Sequence, residues 1–193
     1  SDWSQSIYAA NTVIYGGENH VSEADLSANV MVGWDANYLY IGAKVKDDAY
    51  VQNSTGSKLY KGDSIEVMLD KNISGAYYYD VLSPDDYQLG VSPGNPNVGN
   101  HPEAYLWYPV AIRGWVPQVQ VAVIGTGDGY QVELAIPWNM YNVIPYSGQH
   151  FGFAFSVSDN DLAGQAVQQT MISNVSTRRL THPMTWGDLT LTD

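Results

Sequence analysis

Between Leu59 and Asp70 the chain reads LYKGDSIEVMLD. From Asp63 onward apolar and polar positions alternate, with Ile65, Val67 and Leu69 on one side and Ser64, Glu66, Met68 and Asp70 on the other. A period of two marks a half-buried strand, one face building a core and the other turned away from it. The same period recurs along the chain. Ala28, Val30, Val32 and Trp34 alternate, Asp35-Ala36-Asn37 supplies turn residues, and Leu39, Ile41, Ala43 and Val45 alternate again, which predicts a hairpin. Val119, Val121 and Val123, a glycine-rich turn over 125–129, and Tyr130, Val132, Leu134 and Ile136 predict a second. Further strands are expected at Val13 to Tyr15, at Tyr77 to Val81 as the neighbour of the 63–70 strand, and at Tyr87 to Val91. Others are expected at Phe151 to Val157, near Ala166 to Ile172, and at Trp186 to Leu191. Trp34, Trp138 and Trp186 sit at apolar-phase positions and are expected in the core. Pro137 to Tyr141 reads as one helical turn, and neither a long amphipathic helix nor an internal repeat is visible. The expectation is an all-β fold, one domain over residues 1–193.

Composition sharpens this picture. Fifteen Tyr and six Trp against three Phe give the aromatic area polar handles, suited to surfaces that meet polar ligands. Eight basic and twenty acidic residues leave a net charge of −12, without the basic patch that nucleic acid or an anionic membrane requires. The absence of Cys excludes disulfides, thiolate catalysis and Cys-based metal centres. His20, His101, His150 and His182 are scattered, none at zinc spacing. No apolar run reaches membrane-spanning length, and the opening SDWSQSIY reads as part of a folded domain; a mature protein or an excised module is expected.

The chemistry-bearing positions fall in three groups. On the polar face of the 63–70 strand stands Glu66, with Tyr60 just upstream in a Gly-containing turn. The Pro/Gly/Asn-rich loop SPGNPNVGNHP delivers the chain to Trp107, Tyr108 and, further on, Trp115. Acidic pairs at Asp47-Asp48, Asp85-Asp86 and Asp159-Asn160-Asp161 place oxygen ligands at loop ends, as Ca²⁺ requires, although solvated loops carry such clusters too; no EF-hand spacing is present.

Five segments in order, VGWDANYLYIGAKVKDD (32–48), YKGDSIEVMLD (60–70), GYQVELAIPW (129–138), FGFAFSVSDND (151–161) and WGDLTL (186–191), resemble a family 9 carbohydrate-binding module. That family lies within the larger group of sandwich domains that includes the haem-binding and sugar-binding DOMON domains. The resemblance implies a jelly-roll-like antiparallel β-sandwich that binds a poly- or oligosaccharide on one sheet or its rim, without catalysis. It further implies structural calcium, for which Asp159 and Asp161 are the first candidates, and an extracellular place in a larger multidomain protein that degrades or adheres to polysaccharide. In xylanase-borne members the sugar sits between two Trp rings near a carboxylate, an Arg and amide side chains. Carried over, the first Trp falls on Tyr60 and the carboxylate on Glu66. The Arg falls on Gly90 beside Gln88, the amide near Ser156, and the second Trp near Leu180, next to Arg179. The paired rings are therefore not reproduced at their usual positions, and Trp107, Tyr108 and Trp115 are the candidate replacements.

Other readings stand beside this one. Tyr60 and Glu66 are also readable as a surface ring and a strand-face carboxylate paired with Lys61 or Lys44, and the loop aromatics as anchors for a long connection. Met68 with His182 would be the axial pair of a b-type haem if they met across the sheet. Glu66 and Glu133, both on strands, are the minimum equipment for glycoside hydrolysis, but their contexts belong to the sandwich motifs. A structural or adhesive module that has lost sugar binding is the remaining alternative.

Overall fold

Period-two patterning is realised as thirteen strands in two antiparallel sheets, among the residues, 7–75 and 80–192, that this computed structural model describes. The first sheet runs β1 (Ile7–Ala10), β3 (Leu26–Trp34), β4 (Tyr38–Asp47), β10 (Gly129–Pro137), β9 (Gln120–Thr126). The second runs β2 (Thr12–Tyr15), β12 (Thr170–Ser173), β11 (His150–Asp159), β5 (Ser64–Asp70), β6 (Asp86–Ser92), β7 (Glu103–Tyr108), β8 (Gly114–Trp115), with β13 (Gly187–Thr190) paired to the start of β11. Both expected hairpins form, with Leu39 opposite Trp34 and Val132 opposite Val123.

Apolar alternates from the two sheets meet in one cluster: Val30, Ile41, Val132 and Leu134 face Ile65, Val67, Leu69, Leu89 and the three Phe of β11. Trp138 stacks on Phe151 at 5.7 Å and donates its indole N–H to Asp35 O, tying the expected helical turn, a 3-10 segment at Trp138–Met140, beneath the β3–β4 turn.

Several expectations are corrected. β5 is buried on both faces rather than one. The segment following β12 folds across the outer face of the second sheet, where Trp186 packs with Met68 and Ala154 against Leu82 and Val175. Trp186 is thus buried outside the inter-sheet core, and Trp34 is half-buried at the rim, its Nε1 donating to Thr192 O. Of the strand expected at Tyr77 to Val81, residues 77–79 lie outside the described residues and Val81 is in a bend; the neighbour of β5 is β6, with Gln88 opposite Met68. Trp107 and Tyr108 belong to strand β7 rather than to the loop before it. Residues 166–169 stay irregular ahead of β12, and β1 had no clear pattern in the sequence.

Candidate functional site

The outer face of the second sheet carries a cleft of about 730 Å³. Its floor follows from the β5 register. Glu66 points away from the inter-sheet core, opposite Gly90 of β6 and Ser156 of β11. Gln88 Nε2 donates to Glu66 Oε2 at 2.7 Å, and the Arg178 guanidinium forms an ion pair with Glu66 Oε1. Both charged side chains are more than nine-tenths buried. Desolvation lowers the Arg178 pKa to about 10, which still leaves it cationic at neutral pH. A buried carboxylate beside a buried guanidinium is tolerated because each compensates the other. Each Glu66 oxygen spends one acceptor site on protein and retains another, and Arg178 Nε has no hydrogen-bond partner among the described residues.

Arg178 is held by the segment that covers β5. Arg179 N donates to Thr185 Oγ1 at 2.8 Å, and Trp186 Nε1 donates to Arg179 O at 2.9 Å, so the buried Trp186 ring fixes the backbone carrying both arginines. Arg178 Nη1 also lies 3.6 Å from Met171 Sδ.

Aromatic side chains form the walls. Tyr60 stands in the 3-10 segment Gly56–Lys61, 37% exposed, and meets Trp107 of β7 at 6.1 Å with the rings 73° apart. Trp107 Nε1 donates to Ser57 O at 3.0 Å, locking strand and 3-10 segment together. Gly90 makes room for that ring: a Cβ there would fall 2.2 Å from Trp107 Cη2. This explains why no side chain projects from position 90, where the resemblance placed an arginine; the guanidinium arrives instead from Arg178. Tyr15 of β2 and Leu180 line the cleft from the opposite direction.

Tyr60, Glu66, Gln88, Trp107 and Arg179, all candidates from the sequence, are brought together along one cleft. Tyr108 and Trp115 do not: Tyr108 turns its hydroxyl to Leu82 O at 2.9 Å, and Trp115 lies beyond the cleft on β8. Ser156 is fully buried and does not line the cleft. Glu66 pairs with neither Lys61 nor Lys44. Met68 is 0% exposed beneath Trp186 and His182 pairs with Asp80, so the axial pair of a haem is not assembled. Glu133 stands on the first sheet, remote from the face that carries Glu66, and the two do not form a hydrolytic pair. Sequence reasoning missed Arg178 and Tyr15. Two of the chain's three arginines, 178 and 179, are adjacent, and that doublet was the signal that could have found the first of them.

A second constellation lies where the ends of β4 and β11 meet. Carboxylate oxygens of Asp47, Asp159 and Asp161 come within 4.8 Å of one another, and so do those of Asp25, Asp48 and Asp161. The pairing of Leu26 with Asp47 brings Asp25 beside Asp48. Asp47 Oδ2, Asp159 Oδ1 and Asp161 Oδ1 are buried without a hydrogen-bond partner among the described residues. Burial, then neighbouring carboxylates, pushes Asp159 up to about 8; burial likewise pushes Asp47 up to about 6 and raises Asp161. Such orphaned, mutually repelling oxygens fit a hard divalent cation. The third acidic pair, Asp85-Asp86, forms no comparable three-carboxylate group among the described residues.

A sequence profile of the family described as "Carbohydrate family 9 binding domain-like" matches residues 1–193. The chain is 30% identical over 172 residues to Endo-1,4-beta-xylanase A of Thermotoga maritima, covering 88% of this chain and 14% of that protein. It is 30% identical over 155 residues to Exoglucanase XynX of Acetivibrio thermocellus, covering 80% of this chain and 12% of that one. The chain thus spans about a seventh or less of the length of these relatives. Among solved structures, a carbohydrate binding module family 9 from Caldicellulosiruptor kristjanssonii in complex with cellotriose superposes with a TM-score of 0.74 at 22% identity, over 100% of this chain and 85% of that one. One from the same organism in complex with glucose gives 0.67 at 23% identity, over 90% and 80%. At these identities the likeness establishes the shared sandwich fold.

Proposed function

The chain belongs to the carbohydrate family 9 binding domain-like family, and from that premise we propose that it is a non-catalytic module that binds saccharide in the cleft over Glu66. The observation that carries the reading is the buried Glu66–Arg178–Gln88 triad set beneath the Tyr60 and Trp107 rings. A pyranose has apolar C–H faces and a rim of hydroxyls, so recognition needs flat aromatic area beside groups that accept from and donate to vicinal hydroxyls. Tyr60 and Trp107 supply the area, Glu66 the acceptors, and Arg178 and Gln88 fix that carboxylate in one orientation. The cleft offers a single carboxylate, already neutralised by Arg178, where hydrolysis needs an acid and a second carboxylate across the bond; this favours binding without turnover.

The ligand class favoured is β-1,4-linked glucan or xylan, since the neighbours bind cellotriose and glucose and the relatives are named as xylanases and an exoglucanase. The module would act within a larger extracellular protein, tethering it to polysaccharide, in keeping with the small fraction of the relatives' length it matches. Asp47, Asp159 and Asp161, whose buried oxygens lack partners among the described residues, would hold one calcium, with Asp25 and Asp48 adding negative charge beside the shared Asp161; the ion would neutralise the buried carboxylates and clamp the ends of β4 and β11 together. A glycan array with soluble cellulosic and xylan oligosaccharides tests the function. Retention of at least one class is expected, and a folded domain that retains none refutes it.

A further inference from the structure

Trp115 is 65% exposed, yet its position is fixed. Its Nε1 donates to Glu103 Oε2 at 2.5 Å, while Glu103 Oε1 accepts from Gly56 N at 2.7 Å. The indole lies against Gly56, where a Cβ would fall 2.9 Å from Cζ2 and where φ is +57°, so only glycine fits this contact comfortably. Gly56 opens the 3-10 segment that also carries Tyr60, so one rigid element positions both the cleft ring and the outlying one.

Between them the rings are continuous. Tyr60 meets Trp107 at 6.1 Å, Trp107 meets Tyr105 at 6.1 Å, and Tyr105 meets Trp115 at 5.7 Å. Tyr105 and Trp107 are two apart on β7 and share its outer face, and Trp115 stands opposite Tyr105 on the edge strand β8. A pre-ordered aromatic row that begins in the cleft and ends on a ring held 65% exposed extends that cleft, because ring area fixed toward solvent stays available for stacking without a further ordering cost.

We propose that Tyr105 and Trp115 form an outer subsite that holds further residues of the glycan strand seated over Glu66. The proposal rests on the reading of the cleft as a sugar site. The ring planes select the form of that strand. Successive rings are turned by 73°, 55° and 80°, so no ring is coplanar with its neighbour in the row. Flat crystalline polysaccharide demands coplanar rings; this row follows a single, twisting chain. The partner is therefore a soluble or amorphous glycan strand several sugars long, and a crystalline face is a poor substitute.

The test is calorimetric titration of the whole chain with cellobiose and cellohexaose, and with xylobiose and xylohexaose, using wild type, Trp115→Ala and Trp115→Phe. For whichever sugar binds, the hexamer should bind wild type more tightly than the dimer. Trp115→Ala should weaken the hexamer by about three- to tenfold and leave the dimer unchanged, as expected for loss of one stacking contact. Trp115→Phe, which keeps a ring face, should retain more hexamer affinity than Trp115→Ala. Equal affinity for dimer and hexamer in wild type, or an equal loss for both in Trp115→Ala, overturns the outer subsite while leaving the cleft reading intact. Failure of wild type to bind any of the four sugars overturns both. Wild-type retention on microcrystalline cellulose that survives Trp115→Ala would overturn the selection for a single strand.

Discussion

Chelation of divalent cations should destabilise this domain in a strongly pH-dependent way. In the metal-free protein burial raises Asp47 from 3.8 to about 6 and Asp159 from 3.8 to about 8, so the folded state holds protons that the unfolded chain releases above about pH 4. Stability from these groups is fully present below that pH. It is lost as pH rises through about 6 for Asp47 and about 8 for Asp159. Each tenfold difference in proton affinity between the folded and unfolded states corresponds to about 1.4 kcal/mol, and discounting for partial solvent screening leaves a cost on the order of a few kcal/mol at pH 8.

Calcium in the proposed site would reverse the sign of the problem, because it would bind the ionised carboxylates. At a thousandfold excess over its dissociation constant it contributes about 4 kcal/mol, and a domain of this size moves about 2–4 °C per kcal/mol, so the melting temperature at pH 8 should rise by roughly 8–16 °C over the chelated sample. At pH 5 protons compete for the same oxygens and the increment should shrink to a few degrees at most. Scanning calorimetry of the domain in calcium and in EDTA at both pH values reads this out. Asp159→Asn is the internal control. In EDTA at pH 8 it should melt higher than wild type, having lost a buried charge, and it should lose most of the calcium increment. Coincident melting with calcium and EDTA at pH 8, or an increment equal at pH 5 and pH 8, would refute the reasoning.

Tyr60→Ala should weaken sugar binding by about tenfold or more, with thermal melting little changed because the ring is partly exposed, as titration calorimetry beside a melting curve would record. Glu66→Gln should lower both affinity and stability, the latter by about 3 kcal/mol, since Arg178 is left buried without its counter-ion; urea unfolding measures this, and unchanged stability would mean the ion pair is not buried in solution. Gly90→Ala should push the Trp107 indole out of the cleft wall, seen as a shift in tryptophan emission and a loss of affinity without loss of the fold.

What the sequence disclosed, and what it withheld, follows from how far each determinant reaches. The β3–β4 hairpin was legible because alternation and the Asp35-Ala36-Asn37 turn sit within one short window. The motif placed Tyr60 and Glu66 near one another, and the structure sets both along the cleft. Alternation along β5 correctly separated Glu66 and Met68 from the core face, but a period of two says only that two faces differ, and the burial of the second depends on Trp186 arriving from the far end of the chain. Arg178 was hidden for the same reason, and Asp25 because its place beside Asp48 is set by the β3–β4 register rather than by its neighbours in sequence.

The consequence for function is specific. In this domain the strands supply a carboxylate and a flat wall, while the covering segment supplies the positive charge that makes the carboxylate tolerable in a dry floor. Glu66 without Arg178 would be a buried charge with no counter-ion and only Gln88 to orient it, which would cost the fixed acceptor that paired hydroxyls need. Trp186, by tying the Arg179 carbonyl over Met68, would therefore act on the proposed sugar site without touching a ligand, and affinity there would depend on how firmly that indole holds the segment in place.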